Sequence, residues 1–368
     1  MNRFVLFGIL FRYFGARYLT WVAIAIAALT AIVSLIQTIE LMRRVSTQQD
    51  EASDVSVIAM AFLNLPSVIE LVLPFGLLAG SMMCFDAWNR SNEFVVTRGF
   101  GRSIWSVLSP AICAAALVGI AFISIINPIG SVTSRQYESM MNSIFGEGPQ
   151  RLSVSADGLW LRDDHDDGRF IIHGDTLDVE TANIMNPIIY AFSGEGDLGQ
   201  RTKASMMRLT EAGWMLEDAV QWDTEGKRQE VGTLLLPTGL AALDLEQSSA
   251  PPNSIAIFSL PAFISLLESA GLPTVDHRLY LHKLLSLPFL MVGLAMLGAR
   301  FTLTNMTRGR RVHLFTRGAV ISVIVFLFGQ LMYVLGMSMR LPPVLAAWAP
   351  AAMVILAGAI LLARLDEA

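Results

Sequence analysis

Asp163, Asp164, Asp166 and Asp167 flank His165, a density of oxygen and nitrogen donors that raises the question of a metal centre. The run lacks the glycine and terminal glutamate spacing of a calcium loop, so it reads as a solvated hairpin tip. The five histidines, His165, His173, His277, His282 and His313, show no metal-ligand spacing, and His277 and His282 are five apart and fall on different helix faces. The chain has no G-x-x-x-x-G-K-[ST] phosphate loop; Gly226-Lys227 is followed by Arg228 rather than Ser or Thr. H-E-x-x-H and G-x-S-x-G motifs are also missing. These features predict a protein that is not an enzyme, with no cofactor and no nucleotide site of its own.

Two other features carry the chemical interest. Glu70 stands between Pro66 and Pro74 in an apolar run, where an ionised carboxylate facing lipid costs at least about 2.5–3.5 kcal/mol. It is expected to face a protein or aqueous interior, either as the wall or gate of a cavity or as an interfacial glutamate bonded to a neighbouring helix. The stretch 85–103, FDAWNRSNEFVVTRGFGRS, is charged and amphipathic. It predicts a short helix with Trp88, Phe94 and Val95 packed inward, Arg90, Glu93 and Arg98 facing water, and Gly99 and Gly101 ending it.

The elements that position these residues follow from composition. Of 368 residues, 54% are hydrophobic and 15% charged, against about 25% charged in an ordinary soluble domain, which excludes disorder and a purely aqueous life. Spanning helices need about 20 apolar residues with few charges. Residues 18–39, 55–85 (interrupted only by Glu70) and 103–134 meet that requirement, and residues 284–299, 318–339 and 341–363 supply three more runs, the fourth being short. Between them, residues 131–276 hold 9 basic and 22 acidic residues, a charge of −13, while the rest of the chain carries +8. The division predicts an N-terminal membrane half over residues 1–130, an acidic inserted domain over 131–276 and a C-terminal membrane half over 277–368; it argues against nucleic-acid binding.

Arg3, Arg12, Arg17, Arg90, Arg98, Arg102, Arg300, Arg308, Arg310, Arg311, Arg317 and Arg364 fall on one side of this threading, and only Arg43, Arg44 and Arg340 lie in short loops opposite. The positive-inside tendency makes the first side cytoplasmic, with both termini there and the acidic domain across the membrane. The first run exceeds a signal-peptide core and is expected to remain as a helix. Cys84 and Cys113 lie in apolar runs and offer no disulfide framework.

Within the inserted domain, short alternating stretches bounded by Gly158, Gly168, Gly174, Gly194, Gly196, Gly213 and Gly226 predict antiparallel strands near 152–156, 159–162, 170–173, 188–192, 205–209 and 214–222. Trp214, Leu216, Val220 and Trp222 are expected to share a face. An open sandwich or jelly-roll-like sheet follows, with an edge able to accept another strand. Residues 259–270 read as a short amphipathic helix returning to the membrane.

In order along the chain, Arg12-Tyr13-Phe14-Gly15, the segment LPSVIELVLPFGLLAG, Ser91-Asn92-Glu93-Phe94 with Arg98-Gly99, Gly158-Leu159-Trp160, Trp214-Met215-Leu216, Leu341-Pro342-Pro343 and Trp348-Ala349-Pro350 resemble the LptF/LptG family, the transmembrane subunits of the lipopolysaccharide-export ABC transporter. The opening residues and spacing look more like LptG. The resemblance implies a multi-pass protein of the bacterial inner membrane with a periplasmic jelly roll. Its implied partners are an LptF-type second permease subunit, a cytoplasmic LptB-type ATPase dimer, an LptC-type periplasmic membrane protein, and lipopolysaccharide or a related glycolipid. Glu93 would match the coupling-helix glutamate that docks on the ATPase, with Arg90, Phe94 and Arg98 around it. Gln37, Glu70 and Arg135 are the candidate residues of the substrate cavity. Family members often place more cations there, so Gln37, Glu138 and the negative Glu70 suggest a less phosphorylated or otherwise modified glycolipid. A membrane-anchored periplasmic glycolipid-modifying enzyme and a non-transporting assembly protein are the competing readings.

Overall fold

The computed structural model describes residues 3–47, 54–145, 152–155, 158–165, 168–178, 183–192, 198–210, 213–223, 226–238, 251–269, 272–303 and 311–367. Asp166, Asp167, Gly194, Gly196, Arg308 and Arg310 lie outside this set. Among the described residues, six helices are long and apolar enough to cross a membrane: Gly8–Val45, Leu65–Arg90, Ile104–Met141, Val275–Thr302, Thr316–Met337 and Pro343–Leu365. An antiparallel β domain is inserted after the third. The chain divides into two compact units, Met1–Met140 with Arg278–Ala368, and Met141–His277.

In the first unit, α1 (Arg3–Thr47) is one unbroken helix and packs along α3 (Leu65–Arg90). The second apolar run is not continuous. It splits into α2 (Asp54–Leu63) and α3 at Asn64, just before Pro66, whose missing N–H is harmless in a first helical turn. Gly80 sets the α1–α3 approach: a Cβ there would lie 2.6 Å from Val22 Cα, so the two backbones meet where a side chain has been omitted. The third span is built from α5 (Ile104–Ala121), a π-helical turn at Phe122–Ile126 and α6 (Asn127–Phe145). A short helix, α4 (Glu93–Gly99), joins the second span to the third.

The fourth span differs from the charge-gap expectation of residues 284–299. The helix here labelled α8 runs from Val275 to Thr302 and carries His277, Arg278, His282 and Lys283 inside it. Its charged first half continues the apolar run without a break, and Lys283 within it has a partner on α3, described below. After α8 come α9 (Arg311–Met337) and α10 (Pro343–Glu367).

The second unit is a ten-stranded antiparallel sheet followed by α7 (Leu260–Ser269). Its strands are β1 (Leu152–Ser155), β2 (Gly158–His165), β3 (Gly168–Gly174), β4 (Thr176–Asp178), β5 (Asn183–Met185), β6 (Ile188–Phe192), β7 (Leu198–Lys203), β8 (Met206–Thr210), β9 (Gly213–Trp222) and β10 (Arg228–Leu236). The path is β1-β2-β3-β6-β7-β9-β8-β5-β4, with β10 added along β9. Leu159, Leu161, Ile172, Ile184, Ile189, Met207, Trp214 and Leu216 form its core, and Leu267 of α7 with Leu272 closes over them. Alternation therefore buries one face of the sheet, as half-buried strands require.

The expected single face of β9 breaks in the middle. Trp214 and Leu216 are buried, but Asp218 takes φ 54°, and beyond it Ala219 is buried in place of Val220. The pairing with β10 slips at this point, passing from Gly232↔Ala219 to Leu234↔Leu216. An extra residue in one strand reverses the inward and outward sense of everything after it.

Candidate functional site

The connection between the second and third spans is built on an aromatic support. Phe14 of α1 meets Trp88 of α3 edge-on at 4.6 Å between ring centroids, and Phe85 meets the same indole at 5.2 Å. Tyr18 and Ser81 share a buried 2.6 Å hydrogen bond one turn further in. The chain then leaves α3 through Ser91 and Asn92. Asn92 has φ 57° and ψ 10°, a left-handed conformation that asparagine tolerates better than most side chains. Its carbonyl accepts from Val96 N at 3.0 Å, which starts α4 in a new direction. Gly101, with φ 76°, turns the chain back toward α5, where Ser103 Oγ accepts from Ser106 N at the helix start.

This geometry sorts the side chains of the coupling segment. Phe94 is buried beneath α4, while Val95, Val96 and Phe100 are 56%, 57% and 83% exposed. Val95 thus faces outward rather than inward, because α4 covers the bundle with a single buried residue. Arg90 stays on its own helix, with Nη2 2.7 Å from Asp86 Oδ2. Glu93 does not simply face water: Arg17 of α1 donates from Nη1 to Glu93 Oε1 at 2.6 Å, and Glu93 Oε2 is buried with no hydrogen-bond partner. Arg98 closes the segment, its carbonyl accepting from Gly101 N at 2.8 Å. The structure brings Arg90, Glu93, Phe94 and Arg98 together around one short helix.

Across the bundle, Glu70 is an interfacial glutamate bonded to a neighbouring helix, one of the two readings its sequence position allowed. Lys283 of α8 donates from Nζ to Glu70 Oε1 at 2.7 Å, and the Tyr280 hydroxyl donates to Oε2 at 3.0 Å. Asn127, the first residue after the π-helical turn, donates from Nδ2 to the Tyr280 oxygen at 3.2 Å. Three spanning helices are thereby tied by one polar chain. The Glu70 side chain is 18% exposed and that of Lys283 48%, so the pair sits at the edge of the packed interior. Glu70 accordingly adds no net negative charge to its neighbourhood, contrary to the expectation from charge counting, because Lys283 neutralises it.

The other cavity candidates lie apart from this pair. Gln37 Oε1 accepts from Asn64 Nδ2 at 2.8 Å, linking α1 to the break between α2 and α3. Arg135 Nε donates to Ser131 O of its own helix at 3.3 Å. Among the described residues, Gln37, Glu70 and Arg135 share no hydrogen bond or ion pair, and no group of His, Cys, Asp and Glu is arranged to hold a metal. Arg43 and Arg44 both bond the Glu40 carboxylate, at 2.8 and 3.1 Å.

Sequence reasoning missed Arg17, Tyr280 and Lys283. Arg17 was visible only as one more topological cation, and its partner is 76 positions away. Lys283 carried a usable signal: a lysine at the edge of an apolar run needs an anion, and Glu70 needs a cation.

No curated protein matches the chain. A family model described as lipopolysaccharide export system permease LptF/LptG matches residues 12–364, which take in all or nearly all of each of the six spanning helices, α4 and the inserted sheet. With that match over nearly its whole length, the chain belongs to the LptF/LptG family of lipopolysaccharide export permeases.

Proposed function

We propose that this permease is the LptG-type half of an exporter that extracts lipopolysaccharide, or a related glycolipid, laterally from the outer leaflet of the inner membrane. It works with an LptF-type subunit. A separate LptB-type ATPase dimer docks on the cytoplasmic side, and the β domain passes the lipid in the periplasm to an LptC-type protein. The single observation that carries the reading is α4. Its Phe94 is anchored in the bundle while Val95, Val96 and Phe100 project outward, an apolar face beside Glu93 that a soluble partner can cover. The termini and α4 are then cytoplasmic, consistent with the arginines that flank the spans. The apolar outer faces of α1 and α9, with Ile32, Leu35 and Ile36 on one and Val323, Leu327 and Leu331 on the other, suit lipid or the second permease subunit. Three cations near the outer ends of the spans are already engaged, Lys283 by Glu70 and Arg43 and Arg44 by Glu40, which favours a headgroup with few phosphates.

The test is affinity purification of the chain in mild detergent from cells that express it at native level. An ATPase and a second six-helix permease are expected with the wild type, and both permease halves without the ATPase are expected for Val96→Glu/Phe100→Glu. Recovery of the ATPase with that double variant would contradict the docking face.

A further inference from the structure

Arg17 and Glu93 are far apart in sequence and belong to elements with different tasks. Arg17 lies near the start of α1, and Glu93 is the first residue of α4. Their side chains meet at 2.6 Å, shielded to 30% and 25% exposure. The same nitrogen, Nη1, also donates to the Tyr13 hydroxyl at 2.9 Å, and the guanidinium lies 5.9 Å from the Tyr13 ring centroid. Three residues before Arg17, Phe14 holds Trp88 of α3. One stripe of α1 therefore grips both ends of the turn that carries α4.

The Glu93 carboxylate is only half used. An ionised carboxylate accepts up to about four hydrogen bonds, yet Oε1 alone is engaged and Oε2 is buried with no partner. The other participant, α1, is a continuous helix from Arg3 to Thr47. Gln37 stands twenty residues beyond Arg17, about 30 Å along the axis at 1.5 Å per residue. Arg17 and the Gln37–Asn64 contact therefore stand on one continuous helix.

We infer that Arg17 is a positioning residue that ties the first spanning helix to the partner-facing helix through Glu93 Oε1. The inference rests on the exporter reading above and deepens it. Docking and transmission are separable at this site: the exposed Val95, Val96 and Phe100 serve the first, Arg17 the second. Arg17→Ala then produces a complex that hydrolyses ATP without moving lipid.

The experiment uses the whole exporter reconstituted in phosphatidylethanolamine–phosphatidylglycerol vesicles loaded with lipopolysaccharide. It reads ATPase retention, ATP hydrolysis and lipid released to a periplasmic acceptor. Arg17→Ala is expected to keep the ATPase bound while lipid released per ATP falls about tenfold, a factor equivalent to about 1.4 kcal/mol. Arg17→Lys, which keeps the charge but not the planar fork, is expected to recover part of the loss; Val96→Glu/Phe100→Glu is expected to lose ATPase and release together. A merely structural role for Arg17 would lower hydrolysis and release in proportion. That result, an unchanged ratio in Arg17→Ala, or no recovery in Arg17→Lys would overturn the inference while the exporter reading stands. A wild-type chain that retains no ATPase at all would overturn both.

Discussion

Lys283→Ala and Glu70→Gln each remove one charge from the same ion pair, and the two side chains' exposures predict unequal costs. The carboxylate is 18% exposed, so losing Lys283 leaves a shielded anion with the Tyr280 hydroxyl as its donor. Losing the anion leaves an ammonium that is 48% exposed, on a stem long enough to carry it to water. Removing one partner of a fully buried pair costs about 3–5 kcal/mol, and an exposed pair contributes about 0–1 kcal/mol. Between those limits, Lys283→Ala is expected to cost about 2–3 kcal/mol and Glu70→Gln, whose amide oxygen still accepts from Tyr280, about 1 kcal/mol. Glu70→Gln/Lys283→Met, with no charge to strand, is expected to fall within about 1 kcal/mol of the wild type. The assay is thermal unfolding of the purified chain in mild detergent. At about 2–4 °C per kcal/mol, Lys283→Ala lowers the midpoint by about 4–12 °C and Glu70→Gln by about 2–4 °C. Equal losses, or a larger loss for Glu70→Gln, would refute the claim that shielding of the carboxylate decides the cost.

Gly80→Ala is expected to destabilise the α1–α3 contact by about 1–3 kcal/mol in the same assay, because its Cβ would meet the Val22 backbone. Gly99→Ala, with open space around its Cβ, is expected to be neutral or to stabilise α4 by up to about 1 kcal/mol. Asn92→Val forces a β-branched side chain into φ 57° and is expected to lose ATPase in affinity purification, whereas Asn92→Gly retains it. Leu267→Ala opens the core of the β domain beneath α7, and a loss of about 2–5 kcal/mol is expected, read as earlier proteolysis of the inserted domain. Reconstituted exporter given phosphorylated and dephosphorylated forms of one glycolipid is expected to show little preference; strong preference for the phosphorylated form would contradict the headgroup reading.

The membrane helices were legible because lipid demands long uncharged runs, and charge gaps located all six. A gap between charges marks only the uncharged part of a helix: α8 begins at Val275 rather than near residue 284, and Glu70 satisfies Lys283 within the added stretch. The break at Asn64 was hidden because apolar character continues across it, although Pro66 marks it. In the β domain, the expected strands all have counterparts, as β1, β2, β3, β6, β8 and β9. The strands β4, β5, β7 and β10 were not foreseen. Leu198–Lys203 has one large apolar residue, and Arg228–Leu236 is exposed on much of both faces, so neither shows the alternation that signals a strand. At the functional end, the composition of 85–103 pointed to α4, but the Arg17 contact depends on where two helices cross, and no local pattern encodes that.

The π-helical turn at Phe122–Ile126 gives the third span one residue more than an ordinary helix would need to cover the same rise. Each helical residue advances the azimuth by about 100°, so the surplus determines the direction in which Asn127 and all of α6 project. Deleting any one of these five residues would let the span straighten into regular i→i+4 bonding and swing Asn127 away from the Tyr280 hydroxyl by roughly a quarter turn. The surplus residue is thus a rotational spacer, and the α3–α8 polar linkage reaches a third helix only because that spacer is present.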